Sequence, residues 1–248
     1  MDPTSALFVL HQGLPRQGPG SDACTREALR RLPPLPARPR VLDLGCGPGR
    51  HTLVLAETLR TRVVGVDIHQ PFLDQLQETA RERGLAGLIK AWPGDMAAPP
   101  GVAAGTIDLI WSEGAIYNLG FARGLGLWRP LLVPGGLVAV TECSWLVDDR
   151  PAEAAAFWAD AYPAMSDVAG NTDAAEAAGL EVLDGFALPP SAWWDEYYTP
   201  LLENVGRLRP TADAELMAAI EGTEREIEMY RRFGHSYGYV FYLMRRTD

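Results

Sequence analysis

A glycine-rich loop between a short apolar strand and a helix constrains the fold of this chain more than any other feature. The segment VLDLGCGPG places Gly45, Gly47 and Gly49 after a predicted strand at 41–44 and before a helix that begins near Arg50. Glycines at such positions let the backbone turn tightly and let a ligand approach the main chain. The first N–H groups of the helix have no partner within it and attract a negative group. The pattern predicts a ligand site at the carboxyl edge of a parallel sheet.

The acids around this loop indicate what kind of ligand it holds. Asp67 ends the next predicted strand, roughly 20 residues further on, which suits a carboxylate that accepts both hydroxyls of a ribose. The loop departs from the dinucleotide pattern GxGxxG, because its third glycine comes one residue early and Arg50 takes the expected place. Asp43 before the loop would repel a pyrophosphate but tolerate an ammonium or sulfonium. With the acidic turn 94–96, these residues favour a nucleoside ligand that carries positive charge.

The order of predicted elements gives the fold class. Strands alternate with helices through 37–145, which is typical of an α/β protein with a mostly parallel sheet and helices on both faces. The segment 1–36 is rich in turns and is predicted to form an N-terminal cap. The remainder, 146–248, contains two predicted helices at about 191–233, expected to cap a substrate site, and a final strand. We therefore expect a single domain over 1–248.

Composition and charge narrow the functional classes. The net charge is −10, from 22 basic and 32 acidic side chains, which disfavours a nucleic-acid partner. No apolar run approaches the roughly 18 residues of a membrane-spanning helix, and no basic segment precedes an apolar one at the N-terminus. Three widely spaced cysteines predict free thiols in the cytoplasm. Cys46, inside the loop, is either a reactive thiol or a small residue that fits the turn, and we favour the turn. The histidines lack metal-ligand spacing, so no metal site is predicted.

Taken together, the motifs resemble the class I S-adenosylmethionine-dependent methyltransferase family, of the small-molecule, type 11-like kind. VLDLGCGPGRHT is similar to the first motif of that family, VVGVDI to the second, PGDM to the third and DLIWSEGAIYNLG to the fourth. LLVPGGLVAVTE is similar to the turn and strand that follow, so the resemblance covers 41–142 in order. The flank LPRQGPGSDACTREAL resembles the N-terminal cap of one bacterial subgroup, and the C-terminal half resembles that subgroup more loosely.

This resemblance implies a fold, a cofactor and a reaction. The fold is a Rossmann-like sheet of seven strands with an antiparallel last strand. The cofactor is S-adenosyl-L-methionine, and the reaction is methyl transfer to nitrogen, oxygen or carbon of a small molecule by direct displacement. Such a displacement needs alignment and exclusion of water, and a general base only where the acceptor must lose a proton.

The resemblance also implies which residues hold the cofactor: Gln17, Gly18, Asp43, Gly45, Cys46, Gly47, Gly49, Asp67, Ile68, Asp95, Met96, Ser112 and Glu113. Gly45 and Gly47 lie behind the methionine portion, and Asp43 lies near its amine. Gln17 and Gly18 close the pocket over that end.

The other members of this set surround the nucleoside and the sulfonium. Asp67 takes the ribose hydroxyls, and Ile68 packs on the adenine. Asp95 accepts from the adenine amine, with Met96 as its apolar neighbour. The segment 112–114 ends the fourth strand close to the sulfonium and the substrate.

Glu113 and Tyr117 are the candidate catalytic residues. Glu113 either contacts a cationic amine or accepts a proton, or it holds a loop N–H or an arginine. Tyr117 either orients the substrate or packs in the core. His235 could act as a base from the far side of the pocket, although a histidine satisfied within its loop is the favoured interpretation. His11 and His51 have weaker cases.

The distribution of aromatic residues and the class of function each allow more than one interpretation. Most aromatic residues lie between Trp145 and Tyr242, which suits a lid over a flat ring or a cationic amine. The alternatives are ordinary packing, which we favour for most of them, or a homodimer interface. The alternative functions are an NAD-type oxidoreductase that binds its dinucleotide at the same edge, and a module that binds the cofactor without catalysis.

Overall fold

The computed structural model describes residues 2–248 and contains one twisted sheet. Its strands, numbered in chain order, are β1 Val41–Leu44, β2 Val63–Asp67, β3 Ile89–Pro93, β4 Ile107–Ser112, β5 Leu132–Trp145, β6 Ser166–Asp167, β7 Leu180–Ala187 and β8 Tyr237–Arg246. Seven of them follow the order β3-β2-β1-β4-β5-β8-β7, and the short β6 pairs with β5 beside that path. Strands β1 to β5 run parallel, and β8 runs antiparallel to both β5 and β7. The prediction of a mostly parallel, seven-stranded sheet with an antiparallel last strand is confirmed.

Ten α-helices surround the sheet within the part of the chain that the structure describes: α1 Pro3–Leu10, α2 Asp22–Arg31, α3 Arg50–Leu59, α4 Gln70–Glu82, α5 Phe121–Trp128, α6 Ala152–Ala161, α7 Val168–Ala177, α8 Pro190–Trp193, α9 Thr199–Leu208 and α10 Ala214–Phe233. A π-helix, Trp194–Tyr198, joins α8 to α9. No helix within 2–248 is long and apolar enough to cross a membrane.

The core has a layer on each face of the sheet, because successive side chains of a strand point to opposite faces. Helices α2, α3 and α4 cover one face, where the rings of Trp111 and Phe241 lie 5.6 Å apart. Helices α5 and α7 cover the other face, where Phe121 and Tyr242 are 5.2 Å apart. Burial on both faces explains why the central strands are almost wholly apolar.

A third apolar cluster lies beyond the carboxyl edge of the parallel strands. It joins α1, the π-helix, α9 and α10 to the far ends of β5 and β8. The side chains of Trp193, Tyr198, Tyr230 and Tyr237 are buried inside it, with the rings of Trp193 and Tyr230 stacked 4.1 Å apart. These aromatic residues are therefore packed within the chain itself, as the favoured interpretation expected.

Helix α1 is the main departure from the sequence-based prediction, which described 1–36 as a cap rich in turns. Asp2 caps α1 by accepting a hydrogen bond from the Ser5 N–H at 3.0 Å, and Pro3 occupies its first position. The helix is apolar on most sides, so it lacks the periodicity by which amphipathic helices are recognised. Its buried residues, Ala6 and Leu10, belong to the third cluster.

Candidate active site

The glycine loop turns directly over the end of β2. The N–H groups of Gly45 and Cys46 both donate to the Val66 carbonyl, at 2.9 and 3.1 Å. Gly45 and Gly49 have positive φ angles of 72° and 78°, a conformation that other residues rarely adopt. A Cβ on Gly45 would also lie 2.4 Å from the Cβ of Ala115. The loop therefore needs glycine both for its backbone angles and for its close approach to the chain after β4.

Asp67, the last residue of β2, joins this loop to the start of α4. One carboxylate oxygen accepts from the Gly47 N–H and the other from the His69 N–H, each at 2.9 Å. Burial raises the pKa of Asp67, and these two N–H groups oppose that effect only in part. Ile68 follows with 72% of its surface exposed. An acid fixed by two backbone donors thus lies next to an uncovered apolar side chain.

Asp43 lies beneath the loop and is fully buried. It accepts from the Thr52 hydroxyl at 2.5 Å and lies 3.1 Å from Nε2 of His51. Burial lowers the pKa of His51, but the carboxylates of Asp43 and Glu113 outweigh it, so the pKa is raised. His51 is in the first turn of α3. Asp43 therefore anchors α3 under the loop through both of its oxygens.

The polar side chains of the two residues at the end of β4 are also engaged. The Ser112 hydroxyl donates to the Leu44 carbonyl at 2.7 Å. One oxygen of Glu113 accepts from Thr25 at 2.7 Å and from the Trp111 indole N–H at 2.9 Å. Its other oxygen accepts from Arg16 at 3.0 Å. Of the two interpretations of Glu113, this geometry supports the one in which it holds an arginine.

Arg16 is the centre of a buried ion cluster that sequence reasoning missed. Its side chain is 4% exposed and also contacts Glu196 at 2.9 Å and Asp22 at 3.3 Å. Burial disfavours the charge of Arg16, but these three carboxylates together raise its pKa. Asp22 in turn binds Arg50 at 2.8 Å. The cluster connects the N-terminal segment, the end of β4 and the π-helix.

The N-terminal segment closes over the loop. A Cβ on Gly47 would lie 3.3 Å from Cγ of Gln17, and one on Gly18 would lie 3.9 Å from the ring of Tyr239. On the opposite side, the Met96 sulfur approaches Gly45. Asp95 is exposed and accepts from the Ala97 N–H at 2.8 Å. Of the residues proposed from the sequence, Gln17 and Met96 therefore approach the glycine loop itself, whereas Asp43 lies beneath it.

The remaining candidates have other roles. Cys46 is 1% exposed and packs with α3 and α4, and burial raises its pKa well above the ordinary value, which supports the packing interpretation. His11 contacts the Leu7 carbonyl at 2.9 Å and the Tyr197 hydroxyl at 3.1 Å, and burial lowers its pKa. His235 is exposed in the turn before β8. Among residues 2–248, no group of three or more potential metal ligands occurs.

Sequence reasoning also missed Glu142, a buried acid in β5. Its side chain is 2% exposed, and neither carboxylate oxygen makes a hydrogen bond of normal geometry to any described residue. Tyr117, 43% exposed, and Tyr162 lie nearby with their rings 6.1 Å apart. The sequence signal for Glu142 is its position within the apolar run LVAVTEC, because acids are rarely buried without a partner.

Comparison with known proteins agrees with this geometry. A methyltransferase-domain family model matches residues 41–136. The trans-aconitate 2-methyltransferase of Streptomyces coelicolor is 33% identical over 117 residues, which are 46% of this chain and 38% of that protein. The enzyme of the same name from Sinorhizobium fredii is 33% identical over 151 residues, covering 53% and 51%. The chain thus spans about half or less of the length of these curated relatives.

Solved structures share the fold over nearly the whole chain. An S-adenosylmethionine-dependent methyltransferase of Thiobacillus denitrificans, solved with S-adenosyl-L-homocysteine, has a TM-score of 0.79 at 24% identity, covering 98% of this chain and 99% of that one. The [4+2]-cyclase SpnF has a TM-score of 0.77 at 21% identity, covering 98% and 92%. At these identities the likeness concerns the fold alone. The motif order and the sheet topology therefore agree with the methyltransferase-domain match over 41–136.

Proposed function

We propose that this protein transfers a methyl group from S-adenosyl-L-methionine to a small molecule. The observation that carries the proposal is the glycine loop, which Asp67 holds at the carboxyl edge of the sheet with the exposed Ile68 beside it. The names of the curated relatives and the S-adenosyl-L-homocysteine bound to the Thiobacillus denitrificans methyltransferase support the same activity. We further propose that 1–248 acts as one domain, with 1–36 and 191–233 as caps.

The residues present fit this cofactor. When bound, S-adenosyl-L-methionine supplies a methyl group on a positively charged sulfur. The loop offers main chain without side chains at Gly45 and Gly47, so the methionine portion can lie against it. Asp67 keeps lone pairs for ribose hydroxyls, because each of its oxygens accepts only one backbone N–H. Ile68 offers an apolar surface to the adenine.

Some members of the proposed cofactor set contribute backbone rather than side chain. The Ser112 hydroxyl and the Cys46 thiol face other parts of the chain, so their main-chain atoms are what a ligand meets. Glu113 acts as a positioning residue, since its oxygens already bind Arg16, Thr25 and Trp111. Tyr117 remains the candidate that contacts the acceptor. The three free, buried cysteines support a reducing compartment, which we propose is the cytoplasm.

Ile68→Ala tests the adenine contact without touching the core. We expect the melting temperature of the ligand-free protein to stay unchanged, because the side chain is mostly exposed. Loss of its apolar surface should weaken S-adenosylhomocysteine binding by about 1 kcal/mol, or roughly fivefold, in a calorimetric titration. Leu127→Ala, at an exposed apolar position on α5, is the control and should bind normally. Equal affinity of the Ile68 variant and wild type would remove Ile68 from the site.

Asp67→Asn tests the acid at the end of β2. The amide loses the charge and presents an N–H to a backbone donor, so we expect S-adenosylmethionine binding at least about tenfold weaker. Asp173→Asn, exposed on α7, controls for loss of a charge elsewhere. A circular dichroism spectrum identical to wild type would show that the effect is local. Unchanged affinity would contradict the ribose role.

The whole proposal is tested by titrating wild-type protein with S-adenosylmethionine, S-adenosylhomocysteine and NAD, and then by assaying methyl release. Binding of the first two in the micromolar range, about −8 kcal/mol, together with methyl transfer to an acceptor, is the expected result. Preference for NAD would support the oxidoreductase alternative. Cofactor binding without transfer to amine, phenol and carboxylate acceptors would support a function other than methylation. The similarity to the cyclase SpnF makes that second outcome worth testing.

A further inference from the structure

We propose that the acceptor is an organic amine, which binds as its ammonium ion against Glu142 and beside the rings of Tyr117 and Tyr162. This inference rests on the proposed function for its role in methylation. The binding site itself can be tested separately.

Glu142 lies where an acceptor would have to be. Val140 of β5 pairs with Ser112, the last residue of β4, so Glu142 begins the part of β5 that extends past β4. The intervening Thr141 accepts a hydrogen bond from the Gly114 N–H at 2.8 Å, which ties this point of β5 to the loop after β4. That loop is the segment that the family resemblance places near the sulfonium. The side chains of Thr141 and Glu142 point to opposite faces of the sheet. On the face of Glu142 the same loop supplies Tyr117, whose pKa is raised by burial and, in smaller part, by the nearby carboxylate of Glu142.

No residue within 2–248 makes a hydrogen bond of normal geometry to the buried carboxylate of Glu142. A carboxylate in an apolar environment without hydrogen bonds costs several kcal/mol, so most buried polar groups are paired. Both oxygens of Glu142 are buried and accept no hydrogen bond of normal geometry, although the Tyr162 hydroxyl and the Cys143 N–H are close enough to oppose in part the rise in its pKa that burial causes. When it is ionised, a carboxylate can only accept hydrogen bonds. The ionised form of Glu142 would therefore be stabilised by a partner that carries donors.

The surrounding groups favour a cation over a neutral donor. Tyr117 and Tyr162 present aromatic rings, and the Tyr239 ring lies near Gly18 and Gly114. Ring faces attract organic cations. A second acid, Glu226 on α10, accepts from the Tyr198 hydroxyl at 2.8 Å and adds negative potential near Tyr117.

Other ligand classes match these groups less well. A metal ion prefers several oxygen, nitrogen or sulfur ligands, and residues 2–248 contain no group of three or more. A carboxylate such as trans-aconitate would be repelled by Glu142. The buried guanidinium of Arg16 could not compensate, because three carboxylates already hold it. We therefore infer that the acceptor differs in charge from the substrate in the names of the curated relatives.

Glu142 can also prepare the amine for reaction. An ammonium ion has no lone pair, so it must lose a proton before it can attack carbon. The proton moves from nitrogen to a Glu142 oxygen: the N–H bond breaks with its electron pair left on nitrogen, and an O–H bond forms. The ion pair becomes a neutral amine and a neutral acid. Burial raises the pKa of Glu142 to about 7, so this carboxylate is a stronger base than an exposed one.

The experiment compares probes that differ only in charge. Wild-type protein is titrated calorimetrically with n-butylamine, 2-phenylethylamine and tryptamine, each against its matching alcohol and its matching carboxylate, with and without S-adenosylhomocysteine. We expect at least one amine to bind about tenfold or more tightly than its alcohol, and each carboxylate to bind most weakly. Glu142→Gln should remove the amine preference. Glu203→Gln, exposed on α9, should keep it.

Each outcome bears on the inference. If no amine binds more tightly than its alcohol to wild type, or if Glu142→Gln retains the preference, the inference is wrong. The wild-type comparison decides even if the Glu142 variant fails to fold. If amines bind at Glu142 but S-adenosylmethionine does not bind at all, the amine site stands and the proposed methyltransferase function fails. If the cofactor binds and amines do not, the amine site is wrong and the proposed methyltransferase function is unaffected.

Discussion

Replacing Arg16 with methionine is expected to lower the free energy of unfolding by about 3–5 kcal/mol, measured by urea denaturation. The guanidinium is nearly buried and holds Glu113, Glu196 and Asp22. Methionine is similar in length but cannot donate a hydrogen bond, so the Glu113 carboxylate, whose side chain is 2% exposed, would lose this partner. The variant should also bind S-adenosylmethionine more weakly, because Arg16 precedes Gln17 and Gly18 in the segment over the loop.

Two further variants make this prediction specific. Arg30→Met removes an exposed arginine that pairs with Glu27, and exposed pairs contribute at most about 1 kcal/mol, so stability should change little. Adding Glu113→Gln to Arg16→Met replaces the carboxylate that has lost its partner by a neutral amide. The double variant should regain part of the lost stability, since the effects of substitutions at residues in contact are not additive. A loss below about 1 kcal/mol for Arg16→Met alone would show that the cluster contributes little net energy.

Local patterns in the sequence were sufficient to predict most of the fold. The glycine loop, the β-branched strands and the helix-ending glycines each depend on a few adjacent residues. The family resemblance, rather than these patterns, supplied the seven strands and the antiparallel last strand. Helix α1 was not predicted because its helical signal lies in its cap, Asp2 and Pro3, while its apolar surface is covered from several sides. The π-helix at Trp194–Tyr198 depends on its contacts with Arg16, His11 and Glu226, which come from distant segments.

The site was less predictable than the fold, for a related reason. Candidate residues could be named from their positions after the strands, but their hydrogen-bond partners come from elsewhere in the chain. The sequence around Glu113 shows no partner for its carboxylate. In the structure, Arg16 and Thr25, which are far away in sequence, donate hydrogen bonds to its oxygens. Glu142 looked like one residue of an apolar strand, because only the folded chain covers that part of β5. Burial and pairing, which decide what an acid can do, are tertiary properties.

Glu142→Gln is expected to make the ligand-free protein more stable, and increasingly so as the pH rises. Burial raises the pKa of Glu142 from its ordinary 4.5 to about 7, against smaller opposing effects of the Tyr162 hydroxyl and the Cys143 N–H. The folded protein thus holds a proton on Glu142 that the unfolded chain releases between these two values. The stability associated with this group is fully present below about pH 4.5 and is lost as the pH rises through about 7.

The size and the limits of the effect follow from the same two values. A difference of about 2.5 pKa units corresponds to about 3 kcal/mol. The free energy of unfolding of Glu142→Gln should therefore exceed that of wild type by this amount near about pH 8 and should equal it near about pH 4.5. The groups packed around Glu142 stay uncharged throughout, because burial raises the pKa values of Tyr117, Tyr162, Tyr239, Tyr242 and Cys143. Glu226 titrates as well, but it is present in both proteins and cancels in the difference.

Urea denaturation of wild type, Glu142→Gln and the exposed control Glu203→Gln at a series of pH values measures this difference directly. A Glu142 variant that is no more stable than wild type at high pH would show that the carboxylate is paired or hydrated in the folded protein. An amine bound to wild type should reduce the advantage of the variant, because an ammonium beside the carboxylate stabilises its charged form. In the ligand-free protein, the buried carboxylate of Glu142 lowers the free energy of unfolding at high pH. Binding of an amine should offset this loss, which is the behaviour expected of a carboxylate whose role is to bind a cationic ligand.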